Sequence, residues 1–173
     1  MVIVDRRKFT TGLLGLGAVS AGLNLPAYAQ GTKPKVVVIG GGAGGATAAR
    51  YLAKDSKGAI DVTLIEPTRK YYTCFFSNLY LGGLRDYDSI GHTYDALAAG
   101  HGVNVIHDWA VSVDGAAKTV ELGSGVKVAY DRLVISPGID MKYDSVAGYS
   151  IEAQDTMPHA WKSGTQVALL KSQ

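Results

Sequence analysis

The 173-residue chain has a single cysteine, Cys74. One thiol forms no intramolecular disulfide, so a core rather than a covalent framework has to hold the fold. Metal-ligand spacing is also missing. His92, His101, His107 and His159 make no H-x-x-x-H pair and have no cysteine partners, which favours solvated or packing roles over ligation, and no metal is predicted. Net charge is nearly absent: Arg6, Arg7 and Lys8 against Asp5 account for the formal +2, and the remainder carries 14 basic and 14 acidic residues. Without a basic stripe interleaved with aromatics, the composition argues against a nucleic-acid partner and gives no electrostatic reason to bind anionic lipid. No internal repeat is present, and the 22 glycines scatter through turns and one loop, which excludes collagen-like and low-complexity classes. What remains is 47% apolar and 18% charged residues, enough for one domain with a sizeable core.

The first thirty residues read as an address. Asp5-Arg6-Arg7-Lys8-Phe9-Thr10 is followed by a mildly apolar, glycine-rich stretch over 11–25 and then by Pro26-Ala27-Tyr28-Ala29. Charged region, short apolar region and small residues form the layout of an export signal. The stretch 12–23 is too short and too weakly apolar to span a membrane. Cleavage is expected after Ala29, leaving 30–34 as a linker; an uncleaved amphipathic anchor is the alternative, disfavoured by the missing stop-transfer pattern. The arginine pair with Lys8-Phe9 resembles a twin-arginine signal, although Asp5 and Thr10 depart from its commonest form. That route carries folded proteins, which predicts a periplasmic location and a cofactor inserted before export.

A dinucleotide-binding pattern follows. Lys35-Val36-Val37-Val38-Ile39 is a β-branched apolar run of the kind expected for a parallel strand buried on both faces. It runs into Gly40-Gly41-Gly42-Ala43-Gly44-Gly45, which contains Gly40-x-Gly42-x-x-Gly45, and then into a helix of small residues from Ala46. In this order Gly40 permits the turn, Gly42 lets backbone approach a pyrophosphate, and Gly45 lets the helix pack close to the sheet. A second strand, Ile60-Asp61-Val62-Thr63-Leu64-Ile65, ends in Glu66, about 20 residues past the loop, where a carboxylate meets a ribose hydroxyl. The competing reading makes the glycines a plain turn and Glu66 a solvated strand end. An acid here favours an unphosphorylated ribose over NADP, without separating NAD from FAD.

Beyond Glu66 the pattern predicts a short helix over 92–99, a strand over 103–106, and three short extended runs over 111–113, 119–122 and 126–128. Asp114-Gly115 and Gly123-Ser124-Gly125 separate those runs, as in an antiparallel meander. Tyr130-Asp131-Arg132-Leu133-Val134-Ile135-Ser136-Pro137-Gly138 returns to a buried strand and a tight turn. Asp131 is expected to fix that turn or to pair with Arg132 or another base. The fold class is therefore α/β, a Rossmann-like domain with a parallel sheet plus a three-stranded antiparallel meander.

The order of glycine loop, acidic strand end, meander and Tyr-Asp-x-Leu-Val-Ile-x-x-Gly strand resembles the FAD domain of two-dinucleotide-domain flavoproteins. Within that superfamily, Glu66-Pro67, Tyr71-Tyr72-Thr73-Cys74, Ser77-Asn78, Tyr130-Asp131-Arg132 and Pro158-His159-Ala160-Trp161-Lys162 resemble the flavoprotein subunits of flavocytochrome c sulfide dehydrogenases. The resemblance implies FAD bound at Gly40, Gly42, Ala43, Gly45, Glu66, Pro67, Ala110, Pro137 and Gly138, with the Cys74 sulfur bonded to the 8α-methyl of the flavin ring. Without that motif, Cys74 reads as a small buried hydrophobe beside Phe75 and Phe76. The resemblance also implies a c-type cytochrome partner, an inorganic sulfur substrate, and a redox-active cysteine pair that these residues do not include. Residues 35–140 then form the first part of the FAD domain and 141–173 a connection toward a second domain. A sulfide:quinone reductase-like protein, a flavoprotein that assists thiosulfate oxidation, and a non-catalytic nucleotide-binding fragment are the alternatives.

Overall fold

A computed structural model describes residues 33–173, so the export-signal expectation lies outside the described residues. Strand β1 (Lys35–Ile39) leads into helix α1 (Ala43–Ser56) and strand β2 (Asp61–Ile65). β3 (Lys70–Tyr72) and β4 (Gly91–Thr93) pair antiparallel, and between them lie a 3-10 turn (Cys74–Phe76), α2 (Ser77–Leu81) and a second 3-10 turn (Tyr87–Ile90). Helix α3 (Asp95–His101) and β5 (Asn104–Ile106) follow, then β6 (Ala110–Asp114), β7 (Thr119–Leu122), β8 (Lys127–Ala129) and β9 (Arg132–Ile135). Short 3-10 turns lead to the last helix, α4 (Thr165–Ser172).

The main sheet has the order β5-β2-β1-β9 and is parallel throughout. Its β1 run is apolar without alternation because both faces are covered. Val38 and Leu64 point into a cluster with Ala49, Tyr94 and Val103 on the α1 and α3 side. Val37 and Ile65 point the other way, into Val120 and Leu122 of the meander. Each fully buried aliphatic side chain contributes about 1.5–3 kcal/mol of burial, so the meander acts as the second cover of the sheet. β6 leaves Val111 and Val113 exposed, which makes the meander one-sided.

The strands over 103–106 and across the meander are observed close to their expected places. The helix expected over 92–99 is not: Gly91–Thr93 is strand β4, paired with β3, and the helix starts at Asp95. Pairing across the sheet outweighs the helical pattern for His92, which faces Tyr71 in the register. Asp131 does not form an ion pair with Arg132. Its Oδ2 accepts the Lys35 N–H at 2.7 Å, tying the start of β1 to the entrance of β9, while the Arg132 guanidinium donates to the Asp131 carbonyl.

Candidate dinucleotide site

Order reverses around β1: its first partner, β2, lies on one side and β9 on the other. In open α/β sheets a crevice opens at such a point, at the carboxyl ends of the strands. The glycine loop lies there. Gly40 has φ +95° and donates its N–H to the Ile65 carbonyl at 2.9 Å, and Ser136 donates its own to the Ile39 carbonyl at 2.8 Å. A Cβ at Gly40 would strike the Ser136 carbonyl and lie 3.2 Å from the Pro137 Cα; a Cβ at Gly45 would strike the Gly40 carbonyl. These two glycines answer to different demands, left-handed backbone at the first and close approach at the second. Gly42 is different again. A Cβ there would meet only Tyr71 Cε2, at 3.8 Å, so this side of the loop is open.

Gly42 is also the N-cap of α1 and brings no capping side chain, and the first turn has no acidic residue. The free amides of Ala43 and its neighbours therefore lack a protein anion and favour an external one.

Glu66 stands at the end of β2, where its N–H donates to the Ile106 carbonyl and its carbonyl accepts from His107 Nδ1 at 3.1 Å. The carboxylate turns back to the loop. Oε2 accepts the Gly41 N–H at 2.7 Å, and Oε1 accepts both the N–H and the hydroxyl of Thr68, at 2.9 and 2.7 Å. A carboxylate has about four acceptor positions, so capacity for a hydroxyl remains. The turn through Pro67 is what brings Thr68 back onto Glu66.

Tyr94, only 5% exposed, donates its hydroxyl to the Gly41 carbonyl at 3.0 Å. Burial, then the nearby Glu66 charge, pushes that hydroxyl up to about 12, so it stays protonated as a donor across the physiological range. Gly41 is thus gripped at both its N–H and its carbonyl, and a Cβ on it would stand 2.6 Å from the Tyr94 hydroxyl oxygen. Neither Gly41 nor Tyr94 is visible in the glycine pattern: Gly41 occupies a free position of it, and Tyr94 is 53 residues away. The tyrosine's only signal is an aromatic placed just before a helix.

The remaining expected residues divide. Pro137 lies against Gly40, and Gly138 (φ +81°) continues the turn into open space. Ala110 begins β6 and packs, half-buried, on the Val37 and Ile65 cluster; no described contact joins it to the loop. Cys74 is likewise separate from the glycines. It opens a 3-10 turn capped by Thr73, whose hydroxyl accepts the Phe75 N–H, and the Thr73 N–H reaches the Ile90 carbonyl. Cys74 is exposed and Phe75 is 67% exposed, so the small-buried-hydrophobe reading of this cysteine is overturned.

Alternation along β3 explains the paired tyrosines. Tyr71 packs on the helix-side core beside the open face of Gly42, and Tyr72 stacks on Tyr87 with ring centroids 4.5 Å apart. Lys70 Nζ and the Tyr72 hydroxyl both bond Asp88 Oδ1, at 2.7 and 3.1 Å. Cys74 lines a narrow cleft with Tyr72, Tyr87, Ala160, Ser163 and Val167, and Tyr72, Tyr87 and Ser163 also line a cavity of about 370 Å³ at the start of α4. Beside it, His159 Nδ1 accepts the Trp161 N–H at 3.2 Å, and its enclosed Nε2 has no partner. Among the described residues no cluster of side chains could hold a metal ion, and no helix is long and apolar enough to cross a membrane.

Residues 34–167 match the family model of pyridine nucleotide-disulphide oxidoreductases. Over 48 residues the chain is 56% identical to the flavoprotein chain of sulfide dehydrogenase (flavocytochrome c) from Chlorobaculum thiosulfatiphilum, which covers 28% of this chain and 96% of that one. Over 115 residues it is 30% identical to the mitochondrial sulfide:quinone oxidoreductase of Dictyostelium discoideum, covering 66% of this chain and 25% of the relative. The solved sulfide:quinone oxidoreductase of Aquifex aeolicus superposes with a TM-score of 0.63 at 27% identity, covering 80% of this chain and 32% of that one. The chain thus spans about a quarter of the Dictyostelium relative and a third of the Aquifex structure. With a parallel sheet, a glycine cradle and a match over most of its length, the chain belongs to the pyridine nucleotide-disulphide oxidoreductase family.

Proposed function

We propose that this chain is the FAD-binding part of an exported flavoprotein that oxidises sulfide and passes electrons to a c-type cytochrome subunit. The observation that carries the dinucleotide reading is the cradle itself. Gly42 is open on its outer side, α1 has an uncapped first turn, and the Glu66 carboxylate is held 2.7 Å from the Gly41 N–H. These residues fit a dinucleotide: the loop amides meet the pyrophosphate and Glu66 a ribose hydroxyl, while Pro137 and Gly138 form the adjoining wall. FAD supplies the exchange between two-electron and one-electron chemistry. The protein's part is to hold it, orient it and keep it from leaving.

For the last task we assign Cys74, bonded through sulfur to the flavin ring. Three observations support the assignment: the thiol is exposed, its turn is fixed by Thr73 and Ile90, and the flavoprotein chain that is 56% identical over 48 residues belongs to a flavocytochrome c. The cytochrome partner rests on that relative's name. Periplasmic location rests on Arg6-Arg7 and the small residues Ala27 and Ala29. The test of attachment is to denature the full-length protein, precipitate it with acid and read flavin fluorescence in the pellet. Flavin should remain with wild-type protein and leave in Cys74→Ser; complete release from wild type rules the thioether out.

A second reading, a quinone-coupled sulfide oxidoreductase, is favoured by the likeness to the sulfide:quinone oxidoreductases of Dictyostelium and Aquifex, which extends over 66% and 80% of this chain. Under it flavin leaves wild type and Cys74→Ser alike, and reduced protein passes electrons to a soluble quinone analogue rather than to cytochrome c.

A further inference from the structure

The glycine loop needs more than permissive backbone, because a pyrophosphate is held only if the right N–H groups face it. Two consecutive peptide units of the loop are fixed by side chains. In the first, the Gly41 N–H is bound by Glu66 Oε2 at 2.7 Å. In the second, the Gly41 carbonyl is bound by the Tyr94 hydroxyl at 3.0 Å. That second unit also contains the Gly42 N–H. All peptide bonds here are trans, and in a trans unit the carbonyl and the N–H point in opposite directions. A carbonyl turned inward onto Tyr94 therefore turns the Gly42 N–H away from Tyr94, and a Cβ on Gly42 would meet only Tyr71 Cε2, at 3.8 Å, so the surroundings of Gly42 are open. Among the described residues no protein acceptor bonds that N–H.

We propose that Tyr94 is a positioning residue for the dinucleotide: its hydroxyl sets the plane of the Gly41–Gly42 peptide and aims the Gly42 N–H at the pyrophosphate. The bond also polarises the unit, since a carbonyl that accepts a hydrogen bond makes its own N–H a stronger donor. Tyr94 is rigid enough for the task. It is packed among Val38, Ala49, Val62, Leu64 and Val103, and its ring lies 5.8 Å from that of His107, which holds the Glu66 carbonyl. Both contacts to Gly41 thus start from one supported cluster. The inference rests on the FAD reading above and adds a residue that the glycine pattern does not contain.

The test uses the full-length protein in a Cys74→Ser background, so that flavin can dissociate, and measures FAD binding by fluorescence quenching with ADP and adenosine as competitors. Tyr94→Phe keeps the ring and removes the bond, and should weaken FAD and ADP together by about five- to tenfold, the value of one neutral hydrogen bond. Adenosine, which has no pyrophosphate, should compete as well as before. Unchanged ADP affinity, or an equal loss for adenosine, overturns the inference. Tyr94→Met fills similar space without a hydroxyl and should reproduce the split between ADP and adenosine; a loss that depends on which residue replaces Tyr94 marks packing instead and also overturns it. If the Cys74→Ser protein with Tyr94 intact binds neither FAD nor ADP, the FAD reading itself fails, which is a distinct result.

Discussion

Gly40 and Gly45 respond to a methyl group for different reasons. At Gly40 the backbone is left-handed and the neighbouring Ser136 carbonyl is in the way, so Gly40→Ala should cost more than about 1 kcal/mol. Gly45→Ala meets a collision alone, with the Gly40 carbonyl, and should cost about 1–3 kcal/mol as an overpacked contact. Gly100 sits in helix α3 with open space around it, and Gly100→Ala should instead stabilise the protein by about 0.5–1 kcal/mol. Urea midpoints of the three variants check the order. Equal effects at Gly45 and Gly100 would show that the loop does not press on α1 as described.

At the scale of elements, the excursion between β3 and β4 carries Cys74 and is pinned by Lys70, Tyr72 and Asp88. The hydrogen bond from Lys70 holds the Asp88 carboxyl below its ordinary 3.8 and raises the Lys70 ammonium above 10.5. A depressed carboxylate contributes stability above its unfolded value and loses it as pH falls through the folded one. The gap in thermal midpoint between wild type and Asp88→Asn should therefore be present at pH 7 and close as pH drops below 3.8. The Lys70 side should fail in the opposite direction, as pH rises past 10.5. In the main sheet, Leu64→Ala should cost about 2–5 kcal/mol, because Leu64 is fully buried. Val111→Ala on the open face of β6 should stay within about 0.5 kcal/mol. Chemical denaturation gives both.

The elements that were legible in the chain were those with a dense local signal. β1 is an unbroken apolar run, the glycines follow it directly, and the meander strands are separated by Asp-Gly and Gly-Ser-Gly turns. β3 and β4 were not legible, since each has three residues and they meet across an intervening segment. His92 accordingly read as helical. The candidate site divides the same way. Gly40, Gly45 and Glu66 follow from spacing, whereas the Tyr94 bond to Gly41 joins residues 53 apart and leaves no local trace.

For the whole molecule, the two-sided cover of the sheet supplies the core of the described residues. The proposed export route makes its own prediction: Arg6→Lys with Arg7→Lys should leave the protein in the cytoplasm with its leader attached, read by fractionation and N-terminal sequencing. Periplasmic protein beginning at Gln30 in that double variant would exclude the twin-arginine route.

The cradle draws on Gly40 after β1, Glu66 after β2, Tyr94 before α3 and Ser136 after β9, four points spread over most of the described chain. A chain in which β9 has not yet docked lacks the backbone against which Gly40 turns, and one in which α3 is loose lacks the Tyr94 bond. No half-made version can grip the ligand well. On the proposed reading, the nucleotide is held only after the last strand of the sheet has found its place.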